Sequence, residues 1–135
     1  MGSALVKGWM RAVEDQAGQA PSDAAFAVEV PSLVIWDKVE AQALGEVFGA
    51  PLPPVSANKS MTGHAMGASS AIETILAIEG MRRDRLLPTI NHTPDPEIAL
   101  DVVAEGTRQL EQTFLLKNAF GFGGCNACIV LQRRN

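Results

Sequence analysis

Apolar positions recur along this chain with two different periods, and the alternation between them sets the expected order of elements. Leu5, Trp9, Ala12, Val13 and Gln16 fall at helical spacing and predict an amphipathic helix over residues 5–17, stopped by Gly18 and Pro21. Residues 24–30 alternate like a strand. A second helix is expected over residues 37–48, with Asp37 as N-cap, Glu40 three positions later in a capping-box-like pair, and Gly49 with the following prolines as the stop. Residues 52–54 form a linker, residues 55–57 a short strand, and residues 65–81 a long helix that is apolar or small on several faces and is therefore expected to be buried. Residues 86–91 and 94–96 read as an extended connection with fixed turns. Residues 113–118 and 128–132 read as antiparallel strands joined by a loop rich in Gly and Phe. No repeat or low-complexity segment interrupts the pattern, so residues 1–135 are expected to form one α/β domain.

Chemistry concentrates where the short strand meets the long helix. The stretch Lys59-Ser-Met-Thr-Gly-His-Ala-Met-Gly-Ala68 puts a cation, two hydroxyls and an imidazole on a turn punctuated by glycine. Gly63 allows a tight turn, and the small residues from Gly67 to Ala71 allow the helix to approach a neighbour closely. His64 is expected near a helix N-terminus, where the positive end of the dipole favours a neutral ring able to donate a hydrogen bond. A lone histidine beside a glycine turn is more often structural than catalytic, so further motifs are needed to decide.

Two further motifs change the balance. Leu87-Pro-Thr-Ile-Asn91 follows downstream, and Asn118-Ala-Phe-Gly-Phe-Gly-Gly-Cys-Asn126 closes the chain. With the Lys-Ser-x-Thr-Gly-His turn, and in this order, they resemble the C-terminal half of the β-ketoacyl-acyl carrier protein synthases, the condensing enzymes of fatty acid and polyketide synthesis. The segment Asp37-Lys-Val-Glu-Ala-Gln-Ala43 belongs to the same resemblance, which spans nearly the whole chain. It implies half of a thiolase-like fold, a layered α/β/α architecture with a mixed sheet, with the first strand of that half and the whole N-terminal half lying outside this sequence. It also implies that His64 donates to the thioester carbonyl of malonyl-carrier protein during decarboxylation, with Lys59 holding the network beside it and Glu73 bonding within it. Thr62 and Asn118 would support the site. Phe120, Gly121, Phe122, Gly123 and Gly124 would form the loop over the nucleophile, Phe122 being the gating aromatic. No metal and no bound cofactor are implied, since acyl groups arrive on the phosphopantetheine of a carrier protein.

The departures from the family pattern carry equal weight. The family's cysteine nucleophile comes from the N-terminal half, at a strand-to-helix turn, and neither Cys125 nor Cys128 has that setting. A family histidine expected shortly before Asp37 is missing, with Glu29 or Val30 in its place. Neither a carboxylate nor an isopropyl group can donate a neutral hydrogen bond to a developing enolate. This loss resembles chain-length-factor subunits, the catalytically silent homologues that pair with a ketosynthase, although His64 is kept. Two readings follow. In the favoured one the chain is a noncatalytic partner that completes a ketosynthase and shapes its acyl tunnel, the apolar residues Leu33 to Trp36 being placed to fill a pocket. In the other it is the C-terminal piece of an active synthase whose cysteine another chain supplies. Both readings imply a ketosynthase-like partner chain or the missing half, together with an acyl carrier protein.

Composition narrows the classes further. With 11 Lys and Arg against 15 Asp and Glu, the chain carries a formal charge of −4, which argues against nucleic acid as a partner. Arg82, Arg83 and Arg85 make one local exception, read either as favourable charge at a helix C-terminus or as a patch for an acidic carrier protein. No apolar run reaches the ~20 residues of a membrane span, and the chain is expected to be cytoplasmic. Cys125-Asn-Ala-Cys128 has redox or zinc spacing, but residues three apart on a strand face opposite sides of a sheet, so neither chemistry is expected.

Overall fold

Strand β5, Phe114–Phe120, organises the molecule because each of its faces is committed to a different helix. The computed structural model describes residues 26–29, 37–104, 106–121 and 125–134. Within these, β1 is Phe26–Glu29, α1 Asp37–Phe48, β2 Val55–Ser56, α2 Lys59–Thr62, and α3 Ser69–Arg82 preceded by a 3-10 turn at Met66–Ala68. Short strands β3, Arg85–Leu86, and β4, Arg108–Gln109, follow, and β6 is Asn126–Gln132. The expected helix over residues 5–17 and the apolar segment from Leu33 to Trp36 lie outside the described residues.

The main sheet has the order β2-β1-β5-β6, parallel across its first three strands and antiparallel between β5 and β6. Residues 101–103 extend it beside β2, where the Val55 N–H donates to the Asp101 carbonyl at 2.8 Å and the Val103 N–H to the Val55 carbonyl at 2.9 Å. A separate ribbon pairs β3 antiparallel with β4. The sheet is mixed and carries helices on both faces, the layered α/β/α arrangement expected from the sequence.

Alternation along β5 and β6 builds the two layers. On one face Leu116 and Cys128 pack with Leu44 of α1 and with Val55 and Ala57. On the other Leu115 packs with Ala77 and Met81 of α3, and Leu131 lies against them. Each fully buried leucine is worth about 1.5–3 kcal/mol relative to exposure, so these clusters fix which helix covers which face.

Two expectations need correction. The long helix predicted over residues 65–81 is divided: Met66 adopts φ +51°, so a 3-10 turn comes first and α3 begins only at Ser69. Positive φ at a non-glycine residue leaves the right-handed helical region, which a hydrophobic period cannot reveal. Nor are the isoleucines of α3 among its buried residues. Its sheet-facing stripe is Ser69, Glu73, Ala77, Gly80 and Met81, while Ile72, Ile75 and Ile78 are exposed, Ile75 at 61%. Ser69, Ala77 and Gly80 are the small members of this stripe and let the helix lie close to the sheet, and the isoleucines form a second apolar face with no cover among the described residues.

Candidate functional site

Backbone and hydroxyl hydrogen bonds hold the Lys59 turn against the Leu87 to Asn91 segment. Ser56 Oγ donates to the Leu87 carbonyl at 2.6 Å, the Ala57 N–H donates to Thr89 Oγ1 at 2.9 Å, and Ser60 Oγ donates to the Ala57 carbonyl at 2.7 Å while accepting from the Ile90 N–H at 3.0 Å. Two motifs far apart in sequence are thus one structural unit. Lys59 opens α2 rather than a bare turn, and Gly63 at φ +72° ends that helix with its N–H on the Lys59 carbonyl. Thr62 is engaged locally, its Oγ1 reaching the Asn58 and Gly63 carbonyls at 3.2 and 3.3 Å.

His64 sits between α2 and the 3-10 turn, exposed, and not at the start of a long helix. The dipole argument for its neutral form therefore does not apply. A local bond takes its place, because the Met66 N–H donates to His64 Nδ1 at 3.0 Å. A nitrogen that accepts a hydrogen bond carries no proton, so this geometry belongs to the tautomer with its proton on Nε2.

Beneath the turn lies a buried ionic cluster. Glu73 on α3 is 1% exposed; its Oε1 pairs with the ammonium of Lys59, and its Oε2 lies 3.0 Å from Lys117 Nζ on β5. Lys117 is itself only 1% exposed, and its Nζ also donates to the Asn118 carbonyl at 3.4 Å. Charged residues are almost never fully buried unless paired, and here one carboxylate serves two cations. Lys117 lies outside the motifs that mark the site in the sequence. The available signal was a lysine inside the apolar run Phe114-Leu-Leu-Lys-Asn-Ala-Phe120, at a position that alternation turns inward.

The next residue faces the opposite way. Asn118 Nδ2 donates to Glu40 Oε1 of α1 at 2.8 Å, so the structure places Asn118 in the α1 layer and not beside Lys59 and Glu73. Phe120 is half-buried at the end of β5. Gly121 begins the glycine loop with its N–H on the Cys125 carbonyl at 2.8 Å, and a Cβ at Gly121 would lie 3.0 Å from that oxygen, which is why glycine suits the position. Phe122, Gly123 and Gly124 lie outside the described residues.

Neither cysteine resembles a nucleophile. Cys125 is exposed on the loop; Cys128 is buried on β6, where burial and the nearby Glu40 carboxylate push its thiol up to about 11. Among the described residues no three His, Cys, Asp or Glu cluster in a way that could hold a metal. No described helix is long and apolar enough to cross a membrane. An open groove of about 420 Å³ between α1 and residues 97–99, lined by Lys38, Gln42 and Glu97 among others, contains none of the candidate residues.

Residues 7–93 match the family model described as the β-ketoacyl synthase C-terminal domain. The chain belongs to this family. Over 128 residues, 92% of the chain, it is 38% identical to a 3-oxoacyl-[acyl-carrier-protein] synthase 2 of Staphylococcus aureus (strain COL), of which it covers 31%. Among solved structures, a β-ketoacyl synthase from Burkholderia phymatum STM815 superposes with a TM-score of 0.82 and 32% identity over 98% of this chain and 33% of that one. The ishigamide ketosynthase/chain length factor gives 0.81 and 32%, covering 93% of this chain and 32% of that one. This β-ketoacyl synthase C-terminal domain thus has a thiolase-like fold and spans about a third of the length of the relatives it matches.

Proposed function

We propose that the chain is the C-terminal part of a condensing enzyme of fatty acid or polyketide synthesis, contributing the groups that decarboxylate malonyl held on an acyl carrier protein. The carrying observation is His64, whose Nδ1 is occupied by the Met66 N–H and whose Nε2 is left as the donor, on a turn anchored by the buried Lys59 and Glu73 pair. In the reaction, the bond between the malonyl carboxylate and the α-carbon breaks, CO2 leaves, and the electron pair moves onto the thioester as an enolate. A neutral Nε2–H at the thioester oxygen stabilises the negative charge that develops there. The enolate carbon then attacks an acyl thioester on a cysteine, which leaves as thiolate. That cysteine is assigned to another part of the assembly, because Cys128 is buried with a raised thiol pKa and Cys125 lies beside the glycine loop rather than at a strand-to-helix turn. The exposed face of Ile72, Ile75 and Ile78 supplies an apolar surface for a ketosynthase-like partner or half, a reading supported by the chain covering only 31% of the Staphylococcus aureus relative.

A second reading, a noncatalytic partner like a chain length factor, is favoured by one observation: residues 26–36 contain no histidine to act with His64. One experiment separates the two. The chain is co-expressed with a cysteine-bearing ketosynthase portion, and decarboxylation of malonyl-carrier protein is followed for wild type and for His64→Ala. Loss of a preorganised donor lowers the rate on the order of 10²-fold if His64 acts in the reaction. An unchanged rate makes the contribution of the chain structural.

A further inference from the structure

Lys117 lies outside the Lys59 and glycine-loop motifs, yet this basic side chain is among the most completely buried of the chain. Its Nζ lies 3.0 Å from Glu73 Oε2, while the other oxygen of the same carboxylate pairs with Lys59. The three residues come from three elements, β5, α3 and α2; α2 leads directly into the His64 turn, and α3 follows it after the 3-10 turn. Glu73 alone could rotate about its last side-chain bonds and present either oxygen to Lys59. With an ammonium fixed on each oxygen, the carboxylate plane is held. Lys117 can serve as the fixed end because it projects from the central part of a seven-residue strand paired on both sides, in register with Glu29 on β1 and Ile129 on β6. Lys59, by contrast, lies on a helix of four residues, with its side chain 14% exposed.

We propose that Lys117 is a positioning residue for the decarboxylation step, acting through Glu73 on Lys59 and hence on the turn that presents His64. It touches no reacting atom. Its part is to tie the short helix α2 to the sheet through a charged contact, so that the donor geometry at His64 exists before substrate arrives. A buried ion pair is weak evidence for stability but can specify one arrangement of the chain, a role that an apolar side chain at this position could not fill. The inference rests on the catalytic reading given above.

The test uses the assembled complex with wild type, Lys117→Met, Lys117→Arg and His64→Ala, reading kcat and KM for malonyl decarboxylation per assembled complex. Methionine keeps the length of the side chain and leaves Glu73 its Lys59 partner, so the complex should assemble. The expected result is a kcat about tenfold lower for Lys117→Met, of the order general for a misplaced positioning group, with KM within about twofold. Lys117→Arg, which keeps the cation, should recover most of the rate. A merely structural role would lower the amount or the melting temperature of the complex and leave the kcat of what assembles unchanged. If Lys117→Met assembles poorly, Lys117→Gln, which keeps a donor for Glu73, is read in its place and should give an intermediate kcat. Wild-type kcat in the neutral variant overturns the inference alone, provided His64→Ala is slow. A rate indifferent to His64→Ala overturns the catalytic reading and the inference with it.

Discussion

Replacing Gly80 by alanine sets helix propensity against packing, and the structure decides which wins. Gly80 lies in the last turn of α3, where exchange of glycine for alanine gains at most about 1 kcal/mol from backbone entropy. An added Cβ would lie 2.7 Å from the carbonyl oxygen of Arg85, a backbone atom that cannot swing aside. Ordinary contact begins near 3.4 Å, so the start of β3 must retreat by more than half an ångström. That carbonyl also accepts from Gln112 Nε2 at 3.1 Å, and Gln112 is fully buried, so a retreat weakens a bond whose donor has no water to turn to. Overpacking of this kind costs about 1–3 kcal/mol, and the weakened Gln112 bond adds to it, which outweighs the propensity gain. The net expectation is destabilisation by about 1–3 kcal/mol, seen as a melting temperature lower by roughly 3–10 °C for a chain of this size. Gly45→Ala is the internal control: Gly45 is exposed in α1 with nothing within 4 Å of its added Cβ, so alanine there should stabilise by about 0.5–1 kcal/mol. Thermal unfolding of both variants by circular dichroism gives opposite signs if the reasoning holds. A Gly80→Ala chain as stable as wild type would refute it.

Further measurements bear on other parts of the molecule. The folded chain should react with a thiol reagent near neutral pH at one cysteine, Cys125, because burial pushes the Cys128 thiol up to about 11; two equivalents at the same rate in the folded state would contradict this, whereas the second should appear on unfolding. The Asp101 carboxyl is held below its ordinary value of 3.8, mainly by its hydrogen bonds to the Arg108 guanidinium at 2.5 and 2.8 Å. A lowered folded value means that this contribution is present above the unfolded value and disappears as pH falls through the folded one. Asp101→Asn should therefore differ from wild type by a small constant amount at roughly neutral pH, with the gap closing below about pH 4, since the pair is half-exposed and screened. A gap that widens on acidification would reverse the assignment.

Much of the architecture was legible because it depends on local signals. The bounds of α1 coincide with those read from Asp37, Gly49 and the prolines that follow, and the two longest strands appear where apolar and β-branched residues run between turn residues. The site was legible only in part. Lys59 and His64 stand in one motif, but the reason His64 has a defined tautomer is a bond from Met66, a residue whose positive φ the hydrophobic pattern cannot show. Lys117 was missed because its partner Glu73 lies far earlier in the chain, and a lysine in a strand gains meaning only once the fold shows which face it occupies. Asn118, next to it, is expected to support the site, and strand alternation turns it to the α1 layer, where it bonds Glu40.

That alternation has a consequence for how the loop after β5 can be altered. Two adjacent polar residues key the strand, Lys117 to α3 and Asn118 to α1, so a shift of one position would present a leucine to Glu73 and a lysine to the α1 face. The strand cannot settle one residue out of place without stranding a buried carboxylate. Changes of length beyond Gly121 fall outside this lock, whereas a single deletion before Lys117 turns the whole segment over. The position of β5 is therefore set from both sides by two neighbouring side chains that cannot exchange places.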